Sequence, residues 1–256
     1  MKVAILAGGV GSRLTEETVD KPKALVEIGG YPILWHILMH YSHFGFNEFV
    51  IALGYKGEFI LRWVQEYCGS TGTQTVKDGA AAVVFYEKEH DWTICLVETG
   101  QETKTGGRVK RLAPWLGDQT FMLTWCDGLS DVDVATLLRF HRSHGRLATL
   151  TAVLPPPRFG SLVLDGDVVV RFSEKVPVAK NWINGAFFVL EPEVFNYIEG
   201  DETSWERNSL EQLSKDGQLM AYRHVGFWQC MDTIHERDIL EKLWRSGKAP
   251  WKTTFK

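Results

Sequence analysis

Two features of this chain could act on phosphates. The first is a glycine turn, Gly8, Gly9 and Gly11, entered directly from the apolar run Val3–Leu6 and followed by Arg13, Lys21 and Lys23. Without a Cβ, glycine lets backbone amides approach a polyanion closely, and the cations that follow can neutralise it. The second is Asp127, which emerges from the apolar run Phe121–Trp125 and precedes Gly128. A carboxylate at the end of a central parallel strand lies in the ligand crevice, where it can hold a hard cation against phosphate oxygens. Each feature also has a plainer reading. A structural turn explains glycines alone, but it has no use for so dense a cluster of cations. Asp-Gly is often a simple turn, but here the acid leaves a buried strand rather than joining hairpin arms.

A second glycine-and-cation stretch spans residues 99–111, TGQETKTGGRVKR. Gly106 and Gly107 precede an expected helix, so their amides could face a ligand. A surface turn with solvated charges fits these residues equally well.

The elements that must position these groups follow from the hydrophobic pattern. Strands are expected over 2–6, 48–53, 81–86, 93–97, 121–125 and 148–153, with helices over 32–44, 56–67 and 133–144. Strand–helix alternation implies parallel strands with right-handed crossovers. Residues 69–80 are polar and read as a surface loop. After Pro155-Pro156-Pro157 the pattern shifts to short strands, 161–164 and 168–172, joined at Asp165-Gly166 as a hairpin. The expected fold is α/β: a Rossmann-like, mixed but mainly parallel sheet flanked by helices, with a small hairpin-rich part. One domain is expected, with residues 1–150 and 151–256 as its two halves, the second ending in the C-terminal helix.

Composition narrows the function. The chain has 256 residues, 45% of them hydrophobic, enough for one large core, and its net charge of −4 without a basic block argues against nucleic acid. No apolar run reaches the ~18 residues of a membrane helix. Cys68, Cys95, Cys126 and Cys230 form no CxxC and suit a reduced, cytoplasmic protein. His36, His40 and His43, like His141 and His144, have helical spacing but no HExxH, and read as structural. A dinucleotide fingerprint is broken at Leu14, no acid ends the second strand, which closes at Leu53-Gly54, and no Walker lysine occurs.

AGGVGSRL followed by KPKALVEIGGYPIL resembles the nucleotide-binding signature of the sugar-1-phosphate nucleotidyltransferases. TGGRVKR, the Asp-Gly at 127–128, NGAFF, FWQCMDT and GKAPWK, in that order, are similar to the glucose-1-phosphate cytidylyltransferase branch and carry the resemblance over nearly the whole chain. It implies the nucleotide-diphospho-sugar transferase fold and Mg²⁺-dependent transfer from CTP to a sugar 1-phosphate, with α-D-glucose 1-phosphate as the expected acceptor. It implies nucleotide contacts at Leu6, Ala7, Gly8, Gly9, Gly11, Ser12, Arg13, Lys23, Thr103, Gly107, Arg108 and Asp127. Lys175, Glu174, Asn184 and Gly185 are implied on the sugar-phosphate side. Mg²⁺ would sit on Asp127 and Asp232, with Lys23 and Arg13 as further catalytic groups and a homo-oligomer as the assembly. Read from the residues alone, Asp232 could equally cap the helix beginning near Thr233, and Ser204 could cap the helix after it. The chain departs from the branch at Cys126, Val176 and Asn208. A thymidylyl- or uridylyltransferase, a cytidylyltransferase with another acceptor, and a non-catalytic regulatory homologue are the competing readings.

Overall fold

A computed structural model describes residues 1–9, 18, 20–78, 80–156, 161–173 and 182–254. The strands in chain order are β1 (Lys2–Leu6), β2 (Glu27–Ile28), β3 (Tyr31–Pro32), β4 (Glu48–Leu53), β5 (Thr73–Lys77), β6 (Ala80–Glu87), β7 (Trp92–Glu98) and β8 (Phe121–Trp125). They continue as β9 (Gly128–Ser130), β10 (Ala148–Val153), β11 (Ser161–Asp165), β12 (Val168–Ser173), β13 (Ile183–Leu190), β14 (Leu219–His224) and β15 (Trp228–Cys230). Nine of these form one sheet in the order β14-β10-β13-β8-β1-β4-β7-β6-β5. The centre, β8-β1-β4-β7, is parallel, as the strand–helix alternation predicts, and β13 and β6 run antiparallel on either side of it.

The helices that matter here are α1 (Ile33–His43), α2 (Gly57–Cys68), α3 (Thr105–Arg111), α4 (Ala113–Leu116), α5 (Val134–His144), α6 (Glu211–Lys215) and α7 (Ile234–Arg245). Their ends carry local signals. Pro32 precedes α1, Gly69 stops α2 at φ +60°, and Asp133 caps α5 by accepting from Thr136 N at 2.7 Å.

Alternation along β1 divides the core. Val3 and Ile5 face α1, packing with Ile33, Ile37, Leu38, Tyr41 and Trp251. Ala4 and Leu6 face the other side, packing with Val109, Leu112, Trp115, Trp205 and Leu213. A strand buried on both faces reads as an unbroken apolar run, which is why β1 and β8 were legible. His36, His40 and His141 are all buried, and the ring nitrogens of His141 meet Thr149 and Glu191, so these histidines serve the core.

Two expectations need correction. Residues 69–80 are not all loop, because β5 forms the outer edge of the sheet. An edge strand needs only one ladder partner, so exposed Thr73, Gln74 and Lys77 can serve without an apolar face. Gly106 and Gly107 lie inside the first turn of α3 rather than before it. The expected hairpin is present as β11–β12, with Gly166 at φ +58°, and β10, β13 and β14 complete the main sheet.

Candidate active site

The carboxyl ends of β1 and β8 open on a cleft of about 780 Å³. Its floor comes from Leu6, Ala7, Gly8 and Gly9 after β1 and Trp125, Cys126 and Asp127 after β8. The two strands stay in register past their ends, with Cys126 N donating to Leu6 O at 3.3 Å. Lys23 sits on a short 3₁₀ turn, where Leu25 N donates to Pro22 O and Val26 N to Lys23 O. Asp232 comes from beyond β15, a strand paired with β9 directly after Asp127.

These elements bring one cation between two acids. Lys23 Nζ lies 2.9 Å from Asp127 Oδ2 and 2.6 Å from Asp232 Oδ1. The three side chains are 11%, 28% and 18% exposed, so the contacts are partly shielded from water. Burial alone would depress the Lys23 ammonium, but Asp127, followed by Asp232, holds it well above the usual lysine value. Asp232 is therefore not the helix cap. Thr233 caps α7, its hydroxyl accepting from Glu236 N at 3.3 Å, and the Asp232 carboxylate is left to face Lys23.

Two facing carboxylates are hard oxygen ligands of the kind that bind Mg²⁺ together with substrate phosphates. The ammonium between them shows that the pair accommodates a cation, so the residues present fit a divalent metal. Among the described residues, one trio could also gather three ligand atoms, Glu87, Glu89 and His90. It belongs to a turn, where Glu87 accepts from the amides of Glu89 and His90 at 2.8 Å each.

Arg108 explains two of the glycines. Its buried Nη1 donates to Leu53 O at 3.0 Å, Thr99 Oγ1 at 2.7 Å and Gly100 O at 2.7 Å, and Nη2 donates to Gln101 O at 3.0 Å. A Cβ at Gly8 would come within 2.4 Å of that guanidinium, and one at Gly54 within 2.2 Å. Gly8 thus makes room for Arg108, whereas Gly9 faces open space and leaves the backbone accessible. Arg108 lines the cleft while tying together the ends of β4 and β7.

The cleft unites nine of the expected residues: Leu6, Ala7, Gly8, Gly9, Lys23, Thr103, Arg108, Asp127 and Asp232. Gly107 is not among its lining. The amides of Gly106 and Gly107 both donate to Thr203 O, at 2.9 and 3.3 Å, rather than facing a ligand. A Cβ on Gly107 would come within 2.6 Å of Asp201 Cα, so tight packing of α3 on the 201–203 loop demands glycine there. Asn184 and Gly185 also stand outside the lining. They sit at the start of β13, where Asn184 Oδ1 accepts from Ala186 N at 2.9 Å and Gly185 O from Trp228 Nε1 at 2.8 Å. Because β13 runs antiparallel to β8, this start lies at the same edge of the sheet as Asp127. Gly11, Ser12, Arg13, Glu174, Lys175 and Val176 lie outside the described residues.

The far wall of the cleft was less legible. Thr105 and Glu206 join its two halves, with Thr105 Oγ1 donating to Glu206 Oε2 at 2.7 Å and accepting from Trp205 N at 2.9 Å. Residues 205–210 form a π-helical turn, a widened geometry frequent at functional sites, and Ser204 caps it. Arg207 and Asn208 line the cleft from this turn. Arg207 was not singled out in the sequence; a lone arginine among surface acids carries no local signal.

This site is a glycine-edged crevice at the ends of parallel strands, with one lysine held between two acids. The nucleotidyl transferase family matches residues 2–229, and the chain belongs to that family. Within it, the chain is 46% identical to the glucose-1-phosphate cytidylyltransferases of Salmonella typhi and Salmonella typhimurium, over 99% of this chain and 99% of each relative. Among solved structures, the fold is similar to UDP-glucose pyrophosphorylase bound to UDP-glucose (TM-score 0.69, 13% identity, 96% of this chain and 98% of that one). It is also similar to the inositol-1-phosphate CTP transferase of T. maritima (TM-score 0.64, 15% identity, 94% and 95%). Nucleotidyltransferases of this family generally use a divalent metal.

Proposed function

We propose that this protein transfers a cytidylyl group from CTP to α-D-glucose 1-phosphate, giving CDP-glucose and pyrophosphate. The observation that carries the chemistry is the placement of Lys23 between Asp127 and Asp232 in the glycine-edged cleft. The choice of CTP and glucose 1-phosphate rests on the near full-length similarity to the Salmonella enzymes.

The nucleophile is a phosphate monoester oxygen of the sugar phosphate. It is already ionised near neutrality, since the second pKa of such a group is about 6, and no general base is required. The oxygen bonds to the α-phosphorus of CTP as the bond to the pyrophosphate oxygen breaks, and pyrophosphate carries away that electron pair. The protein must bring two polyanions into line and offset their charge. Asp127 and Asp232 would hold Mg²⁺, which when bound neutralises phosphate charge. Lys23 offers its ammonium to the phosphates, and Gly9 permits close approach of the backbone. Thr103 and Arg108 contact the nucleotide from the opposite wall.

Arg13 is proposed to take the leaving pyrophosphate, with Gly11 and Ser12 completing the nucleotide loop. Lys175, Glu174, Asn184 and Gly185 are proposed for the sugar phosphate, making residues 151–256 the acceptor half of one domain. The working assembly is a homo-oligomer. The four free cysteines suit the reducing cytoplasm, and among the described residues no helix is long and apolar enough to cross a membrane.

The test is pyrophosphate release with Mg²⁺, glucose 1-phosphate and each of CTP, dTTP, UTP, ATP and GTP, alongside an Asp127→Asn control. Release with CTP, lost in the control, is the expected result. Release with a different nucleotide would overturn the base assignment. No release from any nucleotide, with CTP–Mg²⁺ still raising Tm, would overturn the acceptor. If no nucleotide binds, the catalytic reading fails.

A further inference from the structure

Glu236, on the first turn of α7, is a carboxylate only 5% exposed. It completes a capping box with Thr233: the Thr233 hydroxyl accepts from Glu236 N, and Glu236 Oε2 accepts from Thr233 N at 3.0 Å. Such a box satisfies the helix's own first amides and is a local stability device. Here Oε2 makes one bond more. It also accepts from the amide of Asp232 at 2.7 Å, shorter than its bond to the capping residue. That amide lies outside the helix, and no capping requirement explains it.

The bond completes a frame around the two acids of the cleft. Asp127 is tied through its carbonyl, which accepts from Met231 N at 2.8 Å. β9 and β15 then clamp the following segments in register, Gly128 opposite Cys230 and Leu129 opposite Gln229. Asp232 follows this ribbon, and its own amide is held by Glu236. The separation between the Asp127 and Asp232 backbones is thus fixed by Met231 on one side and Glu236 on the other. Ligating carboxylates lose affinity when the groups that orient them are removed, typically 10–100-fold.

We propose that Glu236 is a positioning residue for the carboxylate pair, setting Asp232 against Asp127 so that the two can share one divalent cation. This rests on the metal reading of that pair. Thr233→Ala supplies the structural comparison, since it breaks the capping box without touching the Asp232 amide.

Direct binding of Mn²⁺ to the metal-free protein, followed by the ion's electron paramagnetic resonance, reads the effect without turnover. The assay covers wild type, Glu236→Ala, Glu236→Gln, Thr233→Ala and Asp127→Asn. Glu236→Ala is expected to weaken Mn²⁺ binding by about 10-fold. Thr233→Ala should lower Tm while leaving the Mn²⁺ affinity near wild type. Glu236→Gln, which keeps an acceptor oxygen, should recover most of the affinity, and it stands in should the alanine variant fail to fold. Equal Mn²⁺ affinities in the Glu236 variants and Thr233→Ala would overturn the positioning role while leaving the metal pair standing. Binding unaffected by Asp127→Asn would remove the metal reading, and the proposal with it.

Discussion

Replacing Lys23 with methionine deletes the cation and keeps an apolar stem. In the metal-free protein it removes charge-assisted contacts of 2.9 and 2.6 Å and leaves two partly shielded carboxylates facing each other. Breaking a buried ion pair from one side costs roughly 3–5 kcal/mol, and the 18–28% exposure of the acids argues for about 3. In a domain of this size that lowers Tm by roughly 6–12 °C. A divalent ion should then restore what the ammonium supplied. At ~100 times its Kd, an ion that binds only the folded state adds about 2.7 kcal/mol, close to the whole loss. Wild type should gain less, because the ion must first displace Lys23. Thermal melts with chelator and with a Mg²⁺ series test this, with the Lys23→Met/Asp127→Asn double variant as control. A loss under about 1 kcal/mol in chelator would show that the lysine and the acids are not energetically coupled. Equal rescue of the single and double variants would show that the ion binds elsewhere. The kcat of Lys23→Met should stay ~10²–10³-fold low even at saturating Mg²⁺, since the ion replaces the ammonium between the acids but not its contact with substrate.

Burial holds the imidazole of His36 at about 4, against an ordinary 6.5. The neutral form suits its partners, since Trp251 Nε1 donates to Nδ1 at 3.3 Å and Nε2 meets Ile28 O at 2.9 Å. Above pH 6.5 folded and unfolded states are both neutral; between 6.5 and 4 only the unfolded state takes the proton. Stability should fall through that window by about 3 kcal/mol from His36, with a similar loss from His40, also held at about 4. Urea titrations from pH 7 to 4 check this, and a His36→Gln variant with an unchanged pH slope would contradict it. Gly54→Ala would set a Cβ 2.2 Å from the Arg108 guanidinium, itself fixed by its own acceptors. It should cost about 1–3 kcal/mol in urea denaturation and raise the KM for nucleotide, whereas Gly9→Ala, in open space, should leave stability near wild type. Arg207 is a cation in the cleft wall with no ion pair among the described residues. Arg207→Ala should therefore raise a substrate KM several-fold with little change in Tm, as steady-state kinetics would show.

The sequence by itself determined the sheet's parallel centre and the acid at the end of β8. These are local signals: an unbroken apolar run means burial on both faces. It missed β5, whose edge position removes the need for an apolar face, and it placed Gly106 and Gly107 before a helix that they begin. It could not separate the two readings of Asp232, because capping and ligation use the same residue type at the same helix start. The structure removes the capping reading, because Thr233 caps α7. β8 lies beside β1, and the β9–β15 ribbon carries Asp232 back to a lysine 209 residues away. The reason for Gly8 likewise became visible only with Arg108 beneath it. Local patterns record what each segment buries; which side chains from distant segments share one point in space is set by the packing of the whole sheet.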